Sequence, residues 1–239
     1  DEADVIITNP PFSLFREFLA WILEADKQFV ILGNMNAITY KEVFPLLKDN
    51  KIWLGYKSLN QDMYFDVPEE RRQWLLENKR EGSAYKIIDG VVMGRLASAC
   101  WFTNLDHGKR HEPLLLDTMV HNLKFNKKLK RKLEKDYGTL EYPHYDNYDA
   151  IDVPFVEAIP SDYNGVMGVP ITFMDKYDPE QFEIIGVFNN SNIEEKQHEC
   201  FVLSRDTKTI INGAEKLWNG PIINKMPLYT RNVIRPMKN

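Results

Sequence analysis

The stretch Asp4-Val5-Ile6-Ile7-Thr8-Asn9-Pro10-Pro11-Phe12 decides how the rest of the chain is read. Val5 to Thr8 are all β-branched, three of them are apolar, and the run stops at turn-forming residues. That pattern predicts a buried parallel strand. Pro10 and Pro11 lack N–H donors and hold the backbone extended just beyond it. Open α/β sheets bind ligands outside the carboxyl ends of their strands. The Asn9 carboxamide and the Pro10 carbonyl are expected there, with the Phe12 ring beside them.

Two acceptors and a stacking ring suit a planar group with an exocyclic amine, such as adenine, cytosine or a side-chain amide. An amide oxygen and a backbone carbonyl can together accept both N–H bonds of one amine. This polarises the nitrogen and leaves its lone pair for an electrophile. No strong base is needed, and none stands in the motif. Such a tetrapeptide arises by chance in on the order of one in a thousand chains of this length. A proline-stiffened strand-to-helix turn is the plain alternative, but strand, turn and helix follow in the order a site requires.

The 239 residues are 44% hydrophobic and 27% charged, ordinary for a globular protein with one large domain or a domain plus a lobe. No apolar run approaches a membrane span and no signal peptide is expected. Cys100 and Cys200 lie far apart without a CxxC, which predicts reduced thiols in a cytoplasmic protein. The net charge of −5 gives no global basic footprint, so a nucleic-acid partner would have to meet a local patch. His107 and His111 have no Cys or carboxylate to complete a zinc set, and no metal site is expected. There is no GxSxG, P-loop or GxGxxG. A parallel sheet cannot start from an isolated strand, so an upstream segment is expected to precede Asp1.

Ser13 is expected to cap a helix whose apolar face is Leu14, Phe15, Phe18, Leu19, Ile22 and Leu23. Phe29-Val30-Ile31-Leu32 predicts a second buried strand ending at Gly33-Asn34. Thr39 and Glu42 form a capping box ahead of Val43, Leu46 and Leu47, with Pro45 shortening that helix. Ile52-Trp53-Leu54-Gly55 predicts a third strand. Residues 4–56 thus read β-α-β-α-β, half of a doubly wound sheet. Asn34 and Asn36, at the carboxyl edge, are candidates for ligand contact, with cap and turn roles as the alternative.

A short helix is expected within an otherwise irregular 58–82. Asp89-Gly90 between Tyr85-Lys86-Ile87-Ile88 and Val91-Val92-Met93 is a strong hairpin signal. With Ala99-Cys100-Trp101-Phe102-Thr103 it is expected to add antiparallel strands to the sheet edge. Residues 124–135 carry Lys127, Lys128, Lys130, Arg131 and Lys132 around Leu123, Leu129 and Leu133, an amphipathic helix with a basic face. Lys109, Arg110, Lys127, Lys128 and Arg131 are candidate phosphate contacts on charge alone, against a solvated helix as the alternative. From Tyr142 onward Tyr145, Tyr148, Tyr163 and Tyr177 alternate with Asp, Asn and Pro. Short strands are expected at 182–187, Ile222-Ile223 and Asn232-Val233-Ile234. Such a lobe can be a recognition surface or simply packed tyrosines.

Asn9-Pro10-Pro11-Phe12, continued by Ser13-Leu14-Phe15-Arg16-Glu17, resembles the catalytic motif of amino-methyltransferases. Three further blocks resemble adenine-specific DNA methyltransferases of the EcoRI type. They are Ile31-Leu32-Gly33-Asn34-Met35-Asn36-Ala37-Ile38-Thr39-Tyr40-Lys41-Glu42, Trp101-Phe102-Thr103-Asn104-Leu105-Asp106, and Gly165-Val166-Met167-Gly168-Val169-Pro170-Ile171-Thr172-Phe173. The resemblance implies a Rossmann-like α/β sheet dependent on S-adenosylmethionine, its N-terminal part missing here, with an appended loop-rich α+β lobe. Residues 1–110 would complete the catalytic domain and 111–239 form the target-recognition region. Asn9 and Pro10 would accept the adenine amino group, with Pro11 shaping the turn and Phe12 stacking on a base flipped from double-stranded DNA. The cofactor-binding segment is expected upstream of Asp1. A role in restriction-modification or phage DNA protection follows, with a cognate restriction endonuclease allowed as a partner without a stable complex. A non-catalytic DNA-binding remnant and an RNA adenine or protein glutamine methyltransferase are the alternatives.

Overall fold

The computed structural model describes residues 3–57, 59, 61–188, 207–211, 213–218 and 220–237; Cys200 lies outside them. The chain divides into two compact units, Asp1–Ala37 with Trp53–Leu105, and Ile38–Ile52 with Asp106–Asn239.

In the first unit β1 (Val5–Thr8), α1 (Phe15–Glu24) and β2 (Gln28–Asn34) form a β-α-β unit. The two strands pair in parallel from Val5 opposite Gln28 to Thr8 opposite Ile31. Helix α2 (Phe44–Lys48) belongs to the second unit, and β3 (Trp53–Leu54) returns to the first. Next come β4 (Met63–Asp66), α3 (Glu69–Asn78), β5 (Tyr85–Ile88), β6 (Val91–Leu96) and β7 (Ala99–Thr103). The main sheet has the order β1-β2-β7-β3. Strand β7 runs antiparallel to both of its neighbours, so the antiparallel strand is interior rather than at the edge. Side chains near its end hold it there. The Thr103 hydroxyl donates to the Phe29 carbonyl at 2.6 Å, while Asn104 accepts the Phe29 N–H at 2.9 Å and donates to the Lys27 carbonyl at 3.0 Å. The hairpin does not join this sheet. It forms a separate one, β4-β6-β5, with Asp89 and Gly90 both at positive φ, as a type I′ turn requires.

Strand β1 is not buried. As the sheet's edge strand in these residues it leaves Val5 38% and Ile7 72% exposed. The apolar run predicts burial on both faces, but among the described residues only β2 pairs with it.

In the second unit α2 packs on β10 (Phe182–Phe188). Between them in sequence lie α4 (Met119–Phe125), α5 (Lys127–Tyr137), β8 (Ile151–Asp152) and β9 (Met167–Pro170). Strands β11 (Thr207–Ile211), β12 (Ala214–Trp218), β13 (Ile222–Ile223), β14 (Met226–Pro227) and β15 (Arg231–Pro236) follow. A sheet of order β10-β15-β9-β8 carries the core, and β11-β12 and β13-β14 are two-stranded ribbons. Tyr142 and Tyr145 are buried, and Tyr148, Tyr163 and Tyr177 are half-buried. Tyr145 donates to Asp152 at 2.6 Å, Tyr142 donates to the Ala158 carbonyl at 2.7 Å, and Tyr148 meets Phe188 edge-on at 4.8 Å. A β-carbon at Gly168 would sit 2.0 Å from the Tyr145 hydroxyl oxygen. The glycine-containing stretch before Phe173 therefore makes room for a core tyrosine.

Two caps differ from expectation. Ser13 lies inside a 3-10 turn, Phe12–Leu14, and α1 begins from Leu14 without a side-chain cap. Val43 rather than the Thr39–Glu42 pair stands at the N-cap of α2, where Pro45 occupies the first turn. There a proline costs no intrahelical bond. No described helix is long and apolar enough to cross a membrane.

Candidate active site

The site is built on the step from β1 to α1. Thr8 ends the strand, and Asn9, Pro10 and Pro11 form the connection. Pro11 sits at φ −53° and ψ 129°, polyproline-like, and its carbonyl accepts the Leu14 N–H at 2.9 Å. Phe15 then buries completely and anchors the helix start. Its ring lies 5.0 Å from that of Phe102, and both rings crowd Gly33, where a β-carbon would be 2.4 Å from Phe15 and 2.9 Å from Phe102. Only a glycine on β2 lets α1 approach this closely. The position of the motif is thus set by three residues far apart in sequence.

Around this anchor Pro10 is buried, and Asn9 and Pro11 are exposed. Phe12 is 37% exposed, a ring partly supported and partly presented. The Asn9 carboxamide makes no hydrogen bond to any other described residue, so its acceptor capacity is unsatisfied inside the chain. The motif has no titratable side chain, and its chemistry is that of acceptors and a π-face.

Asn34 and Asn36 belong to the same unit; Asn34 ends β2 and Asn36 follows it, at the carboxyl end of the parallel β1–β2 pair. The Asn34 carboxamide oxygen accepts the Asn36 N–H at 2.8 Å, an Asx turn that shapes the edge. Lys109 and Arg110 lie in the second unit, in the turn Gly108–His111. Lys109 pairs at 2.8 Å with the buried Asp175, and Arg110 bonds to the Asn50 side chain and stands 3.7 Å from Asp106. Burial pushes the Arg110 pKa down. Both cations secure a turn, so the case for DNA contact moves to the basic helix. His111 Nε2 lies 2.8 Å from Asp106, and no group of three metal-binding side chains occurs among the described residues.

Lys127, Lys128 and Arg131 are exposed on α5. The same helix carries Lys135, and Lys124 precedes it on α4. These two bound the charge run without standing among the candidate contacts; the four-residue spacing of 127, 131 and 135 is the signal that adds Lys135.

The family model of adenine-specific methyltransferase EcoRI matches residues 1–237. Type II methyltransferase M.EcoRI of Escherichia coli is 44% identical over 185 residues, 77% of this chain and 50% of that protein. M.MgeORF184P of Mycoplasma genitalium is 38% identical over 189 residues, 79% of this chain and 53% of its own length. M.MpnI of Mycoplasma pneumoniae is 35% identical over 189 residues, with the same coverage. The chain spans about half the length of the curated relatives it matches. No solved structure matches.

Proposed function

Because the chain belongs to the family of adenine-specific methyltransferases of the EcoRI type, we propose that it carries the acceptor side of a site-specific DNA adenine methyltransferase. The observation that carries this reading is the exposed Asn9 carboxamide, without a partner among the described residues, at the carboxyl end of β1 next to a half-presented Phe12. In this reading residues 1–110 are part of a Rossmann-like catalytic domain, 111–239 are the target-recognition region, and the protein acts on cytoplasmic DNA. A cognate endonuclease would act separately.

The substrate adenine leaves the base stack, since its amino group cannot be reached inside the duplex. Phe12 stacks on the extruded ring, which replaces part of the lost base stacking. Asn9 Oδ1 and the Pro10 carbonyl oxygen accept the two N–H bonds of the exocyclic amine. These bonds increase electron density on the nitrogen and turn its lone pair out of the ring plane. Pro11 holds the two acceptors at a fixed separation, so positioning supplies most of the acceleration. The methyl donor is S-adenosylmethionine, whose sulfonium supplies an electrophilic methyl group when bound. No glycine-rich loop of the kind that cradles a nucleotide occurs in these 239 residues, and none of them is assigned to holding the donor.

Transfer of labelled methyl groups from S-adenosylmethionine to adenine in duplex DNA tests the reading, with this chain and with a version extended upstream. Label in adenine from the extended version, reduced at least roughly a hundredfold by Asn9→Ala with DNA affinity within a few fold, is the expected result; removing one preorganised polar group at a reacting centre has effects of this size. Undiminished transfer by Asn9→Ala overturns the assigned mechanism.

A further inference from the structure

Helix α5 concentrates charge that the proposed catalysis does not use. Lys127, Lys128, Lys130, Arg131, Lys132 and Lys135 stand against Glu134 and Asp136, in a chain whose net charge is −5. Leu129 and Leu133, both fully buried, fix which face of the helix is interior. Lys127, Arg131 and Lys135 follow one another at four-residue spacing on the opposite face, and all three are exposed. Lys128 flanks this row with its ammonium 4.0 Å from the centre of the Phe155 ring. Among the described residues none of these four forms an ion pair, whereas Lys132 pairs with Asp136. Of the two acids on α5, Glu134 is the one beside the row.

This arrangement is unfavourable for the helix by itself. Four cations fall in its first five residues and no acid in its first turn, at the end where the macrodipole favours anions. The pairs 127–131 and 131–135 repel at helical contact spacing. The helix is held instead by its two core leucines, by Asn126 accepting the Leu129 N–H at 3.0 Å, and by Gly138 at φ +67°. An anionic partner laid along the row would relieve both electrostatic penalties.

We propose that the outer face of α5, the row Lys127–Arg131–Lys135 with Lys128 beside it, grips the phosphate backbone of double-stranded DNA. This rests on the DNA reading above and specifies how the duplex is held: sequence-independent backbone contact. Phosphate contacts position a protein without reading sequence, and they make affinity fall with salt through counterion release.

The test is equilibrium binding of a fluorescent duplex of arbitrary sequence to the full chain across a series of salt concentrations. The triple substitution Lys127→Gln, Arg131→Gln, Lys135→Gln is expected to weaken binding at least roughly tenfold at low salt. It should also flatten the slope of log affinity against log salt by about 2.7, near 0.9 for each phosphate left without its cation. Removing three charges elsewhere in the same unit, by Lys41→Gln, Lys48→Gln and Lys51→Gln, should leave that slope in place. Each single α5 substitution should take about one unit of slope, which keeps the test valid if the triple variant unfolds by circular dichroism. Wild-type binding with a slope that the α5 variants do not change overturns the proposal and leaves the DNA reading intact. A slope reduced equally in the control variant also overturns it. A wild-type chain that binds no duplex at any salt overturns both.

Discussion

At Gly33 the backbone of β2, the ring of Phe15 and the ring of Phe102 share a space with no room for a methyl group. Gly33→Ala is therefore expected to destabilise the protein by about 1–3 kcal/mol, the range for overpacking a core, and thermal melting would register it. Because Phe15 stands three residues after Phe12, the proposed function predicts that the same variant in the upstream-extended protein lowers methyl transfer by more than stability alone explains. An unchanged melting temperature would show that the rings move aside freely. Gly33 is legible in sequence as the end of a strand. Its role as a notch is not, because Phe102 arrives from a distant strand. Asn9 is the opposite case, since its chemistry follows from its neighbours in sequence. The Ser13 cap fails for a local reason: the two prolines carry the chain into a 3-10 turn, and the α-helix starts one residue too late for Ser13 to cap it.

Elements with a strong local signal form where the residues say they should. The Asp89-Gly90 hairpin and the parallel step from β1 through α1 to β2 are of this kind, whereas β3 does not continue a doubly wound half, because it pairs only with the antiparallel β7 among the described residues. The basic run shows what local pattern leaves out. Leu123, Leu129 and Leu133 fit one helix, but the chain forms two, with Asn126 at ψ 92° ending α4 and capping α5. A helix-compatible spacing of apolar residues cannot reveal a break when the breaking residue is a single asparagine that caps as readily as it continues. Asn126→Ala should cost about 1 kcal/mol through loss of this cap. Urea unfolding would show a lower midpoint at unchanged slope, and an unchanged midpoint would mean that the bond to Leu129 contributes nothing net.

For the molecule as a whole, the buried phenols of the second unit tie stability to alkaline pH. Burial, then the charge of Asp152, pushes the Tyr137 pKa up to about 12. Burial raises Tyr142 and Tyr145 as well, with Asp152 adding to the shift at Tyr145. Unfolded tyrosines ionise near pH 10. Above that value the unfolded chain releases protons that the folded chain retains, so stability is complete below about pH 10 and declines toward pH 12 and beyond. Tyrosinate absorbance is expected to rise together with loss of circular dichroism. Titration of these phenols near pH 10 in a chain that stays folded would contradict their burial. Residue by residue the sequence determined the exposed proline turn after β1, the parallel β-α-β step and the hairpin, because strand branching, proline geometry and turn chemistry act over a few neighbours. Tertiary structure alone decided that β7 enters between β2 and β3, that Lys109 and Arg110 serve as anchors, and that Tyr142 and Tyr145 join the core while Tyr148, Tyr163 and Tyr177 stay half-buried. Those outcomes depend on which distant groups supply a hydrogen bond, a countercharge or a cavity, and no local pattern encodes the identity of a distant partner.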